Sequence, residues 1–258
     1  MNPKLIVCNW KMNPASAEEA KRLGLKLKDL TKNKKHLKLV LAPPAPFISL
    51  VTPARKVKNF TTCSQDLSFL PRGAHTGHIA PEMFKTLGVE YALVGHSEQR
   101  AEGDTDEIVA RKTESAIRAG LKTIICVGET RRDKEGKYLN LLKKQVVVAT
   151  SLLKKSYLKD VLIAYEPVWA IGGDSSGADT PESFFHNALF IKKVFAGLAG
   201  SDMARHLPVL YGGSVGTDNA EGFLTDGRAG GLLIGRASLM PDQMKDIINM
   251  AERVGNKK

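Results

Sequence analysis

Three side chains that can carry charge or move a proton each stand close to the end of a short apolar run: Lys11, His96 and Glu166. A carboxylate held at the end of a strand is suited to general base chemistry, and an ammonium can offset the charge of an anionic substrate. Each residue alone also fits an ordinary role, as a surface lysine, a hydrogen-bonded histidine or a solvated glutamate. Together they favour acid–base chemistry on a negatively charged molecule.

Neighbouring residues restrict two of these side chains. Glu166 is followed by Pro167, whose ring fixes its own φ and limits the conformation of the residue before it. His96 precedes Ser97, the expected first residue of a short helix. The positive end of a helix disfavours a protonated imidazole, so His96 is predicted to be neutral and able to donate a hydrogen bond. We interpret the other histidines as ordinary polar residues: His36, His75, His78, His186 and His206.

Two glycine-rich turns, Gly212-Gly213-Ser214 and Gly235-Arg236, each precede an expected helix start. Unpaired backbone N–H groups and the positive end of the helix dipole point the same way there, which suits a bound anion. Either turn alone is more simply a tight turn. Two such turns after the last two predicted strands of a basic protein favour a phosphate site.

These residues belong to a pattern of eight units, each with an apolar β-branched run, a loop and a segment of helical periodicity. Most runs are apolar throughout, as in strands covered on both faces, so the pattern predicts an α/β fold with a closed eight-stranded parallel (βα)8 barrel. An open doubly wound sheet is the competing fold, but its early GxGxxG turn is absent after the first run. The predicted strands are Leu5–Asn9, Leu37–Ala42, Phe60–Gln65, Tyr91–Gly95, Thr123–Gly128, Val161–Glu166, Val209–Gly212 and Gly231–Gly235.

Helix starts are predicted from capping patterns. A capping residue followed three positions later by glutamate occurs at Ser16, Asp104 and Asp218, and Thr180 stands before Pro181. No linker or change of composition divides the chain, so residues 1–258 are predicted to form one domain.

Composition narrows the function classes. The 258 residues carry 38 Lys and Arg against 27 Asp and Glu, with 43% hydrophobic residues, which excludes a largely disordered chain and a disulfide-dense mini-protein. Three widely spaced cysteines, Cys8, Cys63 and Cys126, indicate reduced thiols and a cytoplasmic location rather than a metal site. The first residues are too weakly apolar for a signal peptide or a membrane span. The basic residues are spread along helices and aromatic residues are only 6%, which disfavours nucleic-acid binding.

Five separated motifs resemble those of the triosephosphate isomerase family over the whole chain. The motifs are Asn9-Trp10-Lys11-Met12-Asn13, Val94-Gly95-His96-Ser97-Glu98, Tyr165-Glu166-Pro167-Val168-Trp169-Ala170-Ile171-Gly172, Tyr211-Gly212-Gly213-Ser214-Val215 and Leu233-Ile234-Gly235-Arg236-Ala237-Ser238-Leu239.

The resemblance implies interconversion of dihydroxyacetone phosphate and glyceraldehyde 3-phosphate through an enediolate, without a cofactor or a metal. In the roles established for that family, Glu166 is the base and His96 the neutral electrophile. Lys11 and Asn9 then stabilise the enediolate and the phosphate, and Glu98 supports them. Backbone groups that hold the phosphate are implied at Gly172, Ser214, Gly235 and Arg236.

A movable loop after Trp169 is also implied, with Trp169 packing on Glu129 when it closes and Tyr211 and Ser214 holding it. The loop is longer here than the common form, and its tip is acidic. Arg236 stands where the family commonly has a second glycine, so a strained positive φ is expected there if the backbone conformation is kept.

The segment Gly73 to His78 resembles the loop by which two subunits of the family complete each other's sites, with Thr76 reaching the partner. His78 and Gln99 replace a glutamate and an arginine that are common in the family. A homodimer with a neutral contact in place of that pair is therefore expected.

Two other functions remain open from the residues alone. One is a different phosphate-binding barrel, an isomerase or a lyase, acting on a larger substrate. The other is a catalytically silent basic protein that binds nucleic acid.

Overall fold

A computed structural model of the chain describes residues 3–171 and 179–256. Its strands form one closed barrel in which every neighbouring pair is parallel, and the first strand pairs with both the second and the eighth. The predicted closed barrel is confirmed, and the open sheet is excluded. The strands are β1 (Lys4–Asn9), β2 (Leu37–Ala42), β3 (Phe60–Ser64), β4 (Tyr91–Val94), β5 (Lys122–Val127), β6 (Val161–Tyr165), β7 (Val209–Tyr211) and β8 (Gly231–Ile234).

Six of the predicted strands extend one residue too far at their carboxyl ends. Glu166 and Gly212, for example, were predicted as the last residues of strands, but the structure ends β6 and β7 one residue earlier. Each still donates one backbone hydrogen bond to the neighbouring strand, Glu166 to the carbonyl of Val127 at 2.8 Å and Gly212 to that of Tyr165 at 2.8 Å. The strand ladder ends directly afterwards, so Glu166 and Gly212 lie at the carboxyl rim of the barrel although both are buried.

Apolar side chains form two layers because successive residues of a strand face opposite sides. In β1, Leu5 and Val7 lie in the cluster inside the barrel, whereas Ile6 and Cys8 pack against the surrounding helices. The same alternation in β6 places Leu162 inside the barrel. Burial on both faces explains why the strands are apolar throughout.

The helices cover the outside of the barrel. They are α1 (Ala17–Leu30), α2 (Ile48–Val51), α3 (Pro81–Thr86), α4 (Ser97–Ala101), α5 (Asp106–Arg118), α6 (Tyr138–Thr150), α7 (Pro181–Ala199), α8 (Ser201–His206), α9 (Ala220–Thr225) and α10 (Pro241–Asn256). Short 3₁₀ turns lie at Ala45–Phe47, Lys155–Asp160, Val168–Ala170 and Arg236–Leu239.

Two of the four predicted helix caps are confirmed. The Ser16 hydroxyl accepts from the N–H of Glu19 at 3.2 Å, and that of Thr180 accepts from Ser183 at 3.1 Å. The other two are displaced by one residue. Thr105, not Asp104, caps α5, and Asn219, not Asp218, stands at the start of α9.

A buried lysine explains the first of these errors. The Lys112 ammonium lies 2.8 Å from a carboxylate oxygen of Asp104 and 2.8 Å from one of Asp66. Asp104 therefore neutralises a buried charge and is not available to cap the helix, which leaves capping to the Thr105 hydroxyl.

The three cysteines are buried and form no disulfide. Burial raises the pKa of the Cys8 and Cys63 thiols, which keeps them protonated at neutral pH.

Within residues 3–171 and 179–256, no helix combines the length and the apolar character needed to cross a membrane. The predicted movable loop falls mostly on residues 172–178 and so lies outside the described residues.

Candidate active site

A cavity of about 620 Å³ lies at the carboxyl ends of the strands. It is lined by residues that follow β1, β4, β6, β7 and β8, which the sequence separates by more than 200 positions. The predicted site residues among them are Asn9, Lys11, His96, Glu166, Ser214, Gly235 and Arg236. Parallel strands in a closed barrel bring these side chains together, because all their carboxyl ends meet at one rim.

Glu166 is buried, with 2% of its surface exposed. Oε2 accepts a hydrogen bond from the backbone N–H of Ser97 at 3.1 Å. Oε1 lies 3.4 Å from Nε2 of His96 and has no hydrogen-bond partner among the described residues. One carboxylate oxygen is thus anchored while the other is left to accept a proton from a molecule in the cavity.

Two glycines allow Glu166 this position. A Cβ on Gly212 would lie 2.9 Å from Cγ of Glu166, and one on Gly128 would lie 1.7 Å from its backbone oxygen. Both distances are shorter than a normal van der Waals contact. Glycine is therefore required at both positions by the close approach of the neighbouring strands to the base.

His96 is buried and caps α4. Its Nδ1 accepts from the backbone N–H of Glu98 at 3.2 Å. The proton of the neutral ring is therefore on Nε2, the atom that lies 3.4 Å from Oε1 of Glu166. This geometry agrees with the neutral donor that the sequence predicts at this position.

Lys11 has a left-handed backbone, with φ of 53°, which the sequence did not indicate. Its N–H donates to Oδ1 of Asn9 at 3.0 Å, and its ammonium lies 2.6 Å from Oε1 of Glu98. Asn9 continues the alternation of Leu5 and Val7 and therefore faces the inside of the barrel. The three predicted residues Asn9, Lys11 and Glu98 are thus in contact.

Gln65 supports this turn and was missed by the sequence analysis. Its side-chain amide donates to the backbone carbonyls of both Lys11 and Ala42, each at 2.9 Å. Its position directly after β3 is the signal that could have identified it, because polar residues at strand ends are those expected to build the site.

The turns after β7 and β8 form the other side of the cavity. Ser214 and Arg236 are exposed, and Gly235 is half-buried. Among the described residues other than glycine, a positive φ occurs at Lys11, Asn33 and Arg228, and Arg236 has none. The strain expected at Arg236 is therefore absent. Gly172 lies outside the described residues.

A second polar cluster lies beside the base. Glu129 is fully buried and accepts from Nε1 of Trp169 at 2.8 Å and from the hydroxyl of Tyr165 at 2.8 Å. The predicted Trp169–Glu129 contact is present, while its dependence on loop closure stays a prediction. Burial, and then the charge of Glu129, raises the pKa of the Tyr165 phenol, so this hydroxyl remains a donor.

Tyr211 and Thr76 are not among the residues that line the described cavity. The Tyr211 ring is buried and stacks on Phe223 with 3.6 Å between the ring centres. Thr76 is exposed in the loop between β3 and α3. Within the described residues, no group of three or more histidine, cysteine, aspartate or glutamate side chains is arranged to hold a metal ion.

Comparisons with known proteins agree with this site. A family model described as triosephosphate isomerase matches residues 4–251. The triosephosphate isomerase of Geotalea uraniireducens is 36% identical over 98% of this chain and 100% of its own length. That of Caldanaerobacter subterraneus subsp. tengcongensis is 37% identical over 96% of this chain and 100% of its own. The fold, the cavity and these matches lead to one conclusion: the chain belongs to the triosephosphate isomerase family of enzymes.

Proposed function

We propose that the protein interconverts dihydroxyacetone phosphate and D-glyceraldehyde 3-phosphate through an enediolate. The observation that carries the proposal is the free carboxylate oxygen of Glu166 beside Nε2 of His96, both facing one cavity. A base must lie within reach of the proton that it removes, and an electrophile must lie within reach of the oxygen that gains charge. This pair meets both requirements for a small substrate.

In the proposed mechanism, Glu166 removes a proton from the carbon next to the carbonyl and returns it to the neighbouring carbon. The Nε2–H of His96 donates to the substrate oxygens as negative charge develops on them, and this ring is proposed to carry the hydroxyl proton from one of these oxygens to the other. Lys11 balances the charge of the enediolate and the phosphate, and Asn9 adds a donor. Glu98 holds Lys11 in place through the contact at 2.6 Å.

The phosphate is proposed to lie on the turns after β7 and β8, held by backbone N–H groups at Ser214, Gly235 and Arg236. The side chain of Asn219 orders the first of these turns, since it accepts from the N–H of Gly216 and donates to the carbonyl of Ser214, each at 3.0 Å. Gly172 is proposed to add a further N–H. Ser214 and Tyr211 are proposed to hold the loop after Trp169.

Arg236→Gly tests whether the backbone binds the phosphate. The substitution keeps the backbone N–H and removes the whole side chain, so KM for glyceraldehyde 3-phosphate is expected to stay within about threefold of wild type if the N–H binds the phosphate. Steady-state kinetics at fixed ionic strength measure this. Arg236→Lys is the matched control for charge. A tenfold rise of KM in the glycine variant alone would show that the side chain binds the phosphate instead.

A homodimer is proposed, with Thr76 reaching the partner. Every residue from Pro71 to His78 is exposed, and Met12 beside the site is 94% exposed, which leaves both available for an interface. His78 and Gln99, the two replaced residues, line one cavity of about 430 Å³. Sedimentation velocity at micromolar concentration is expected to give a dimer, and a monomer alone would contradict this proposal.

The other proposed properties are a cytoplasmic location, one domain, no cofactor, and neither nucleic acid nor a membrane as a partner. Assays of both three-carbon phosphates against longer sugar phosphates test the substrate. Preference for a longer substrate would favour the alternative phosphate-binding barrel enzyme. Retarded nucleic acid in a mobility shift at physiological salt, without isomerase activity, would favour the silent basic binder.

A further inference from the structure

Arg132 lies at the centre of the polar cluster beside Glu166, in the connection between β5 and α6, and no sequence motif pointed to it. Its guanidinium donates four hydrogen bonds: to the hydroxyl of Tyr165 at 2.5 Å, to that of Ser183 at 2.6 Å, to Oε1 of Glu129 at 3.1 Å and to Oδ1 of Asp179 at 3.4 Å. These partners come from three different parts of the chain. A planar fork with five donors is suited to such an arrangement, and a lysine ammonium is not.

The same guanidinium contacts the chain on both sides of residues 172–178. Its carbon lies 4.6 Å from the centre of the Trp169 ring, within the range of a cation–π contact. Its Nη1 lies 3.4 Å from Oδ1 of Asp179, the residue before the cap of α7. Arg132 thus connects the segment that follows Glu166 to the start of α7.

Arg132 is the cation that pairs with the two buried carboxylates of this cluster, Glu129 and Asp179. Glu129 is fully buried, and Asp179 is buried with Oδ2 lacking a hydrogen-bond partner in the described residues. Burial raises the pKa of the Asp179 carboxyl, while its hydrogen bond with Ser183 and the Arg132 charge oppose that rise. Without Arg132, two buried carboxylates would be left without their cation.

We propose that Arg132 is a positioning residue for the isomerisation. It holds Tyr165 and Trp169, the residues on either side of the base, in a fixed relation to Asp179. It does not line the described cavity, so it acts through these residues and not on the substrate. The inference rests on the proposed function, because it assigns Glu166 as the base.

The expected kinetic effect follows from where Arg132 acts. A displacement of a reacting group by about 1 Å can cost about 10²-fold in rate. Arg132→Met, which keeps an unbranched apolar stem and removes the charge and the donors, is expected to lower kcat by about 10- to 100-fold. KM is expected to stay within about threefold, because none of the described contacts of Arg132 reaches the turns after β7 and β8.

Lys38→Met is the matched control. Lys38 also joins a carboxylate and an aromatic ring, Glu90 at 2.7 Å and Tyr91 at 5.4 Å, but it lies in β2 near the opposite end of the barrel. This variant is expected to lose thermal stability and to keep the wild-type kcat. Thermal unfolding is measured for both variants, and their kcat values are compared only at temperatures at which both are folded.

Asp179→Asn keeps the size of the side chain and weakens the same bridge, so it provides a second test if Arg132→Met does not fold. It is expected to lower kcat by severalfold without changing KM. In the double variant, the loss of kcat is expected to be smaller than the product of the two single losses, because both changes break one contact.

The results separate the two proposals. A wild-type protein without isomerase activity counts against the proposed function. An active wild type whose folded Arg132→Met variant keeps kcat within twofold, or loses activity only through KM, overturns the role of Arg132. If Asp179→Asn folds and Arg132→Met does not, an unchanged kcat in Asp179→Asn also overturns the role of Arg132.

Discussion

Replacing Glu166 by aspartate is expected to lower kcat by at least about 10²-fold and to change KM by less than about fivefold. The aspartate side chain is one methylene shorter, so its carboxylate would be withdrawn from the substrate carbon and from the N–H of Ser97 that anchors Oε2 at 3.1 Å. Phosphate binding at the turns after β7 and β8 would be unaffected. Steady-state kinetics in both directions of the reaction measure the change.

Glu18→Asp is the control for this variant, because Glu18 is exposed in the first turn of α1 and undergoes the same chemical change. It is expected to match wild type in kcat and KM. If Glu166→Asp gave a kcat within threefold of wild type, Glu166 would not be the base.

Replacing His96 by asparagine is expected to lower kcat by about 10²- to 10³-fold, the usual cost of losing one donor to a developing oxyanion. Asparagine is a good helix N-cap, so it can replace the contact between Nδ1 of His96 and the N–H of Glu98. It is too short to place a donor where Nε2 lies. Thermal stability should therefore stay close to wild type while kcat falls.

His96→Ala separates the two functions of this residue. It removes the donor and the cap together, so it is expected to lose as much kcat as the asparagine variant and, in addition, about 1 kcal/mol of stability. Equal kcat in wild type and His96→Asn would mean that His96 only caps α4.

The barrel and the approximate position of the base could be predicted from the sequence because both follow from local periodicity. Apolar runs covered on both faces indicate parallel strands, and the alternation in β1 and β6 directs Asn9 and Glu166 to the inside of the barrel. The residues themselves favoured a neutral His96 and a phosphate site at the two glycine turns, but the parts that these residues and Lys11 take in one reaction came from the resemblance, since each residue alone also fits a structural role.

What could not be predicted depends on contacts between distant parts of the chain. Asp104 does not cap α5 because its carboxylate pairs with Lys112, which also pairs with Asp66. The left-handed backbone of Lys11 is bound at its carbonyl by the amide of Gln65, which is 54 residues away. Arg132 lies among other charged residues in the sequence, and only the folded chain brings it to Tyr165 and Asp179.

Proton transfer by a protein base is the central claim, and deuterium incorporation tests it most directly. The purified protein is incubated in D₂O with D-glyceraldehyde 3-phosphate, and the products are followed by proton NMR. The proposed mechanism predicts dihydroxyacetone phosphate with deuterium on the carbon that receives the proton, and loss of this reaction in Glu166→Asp. Dihydroxyacetone phosphate formed without any deuterium, or no conversion above the buffer blank, would contradict it.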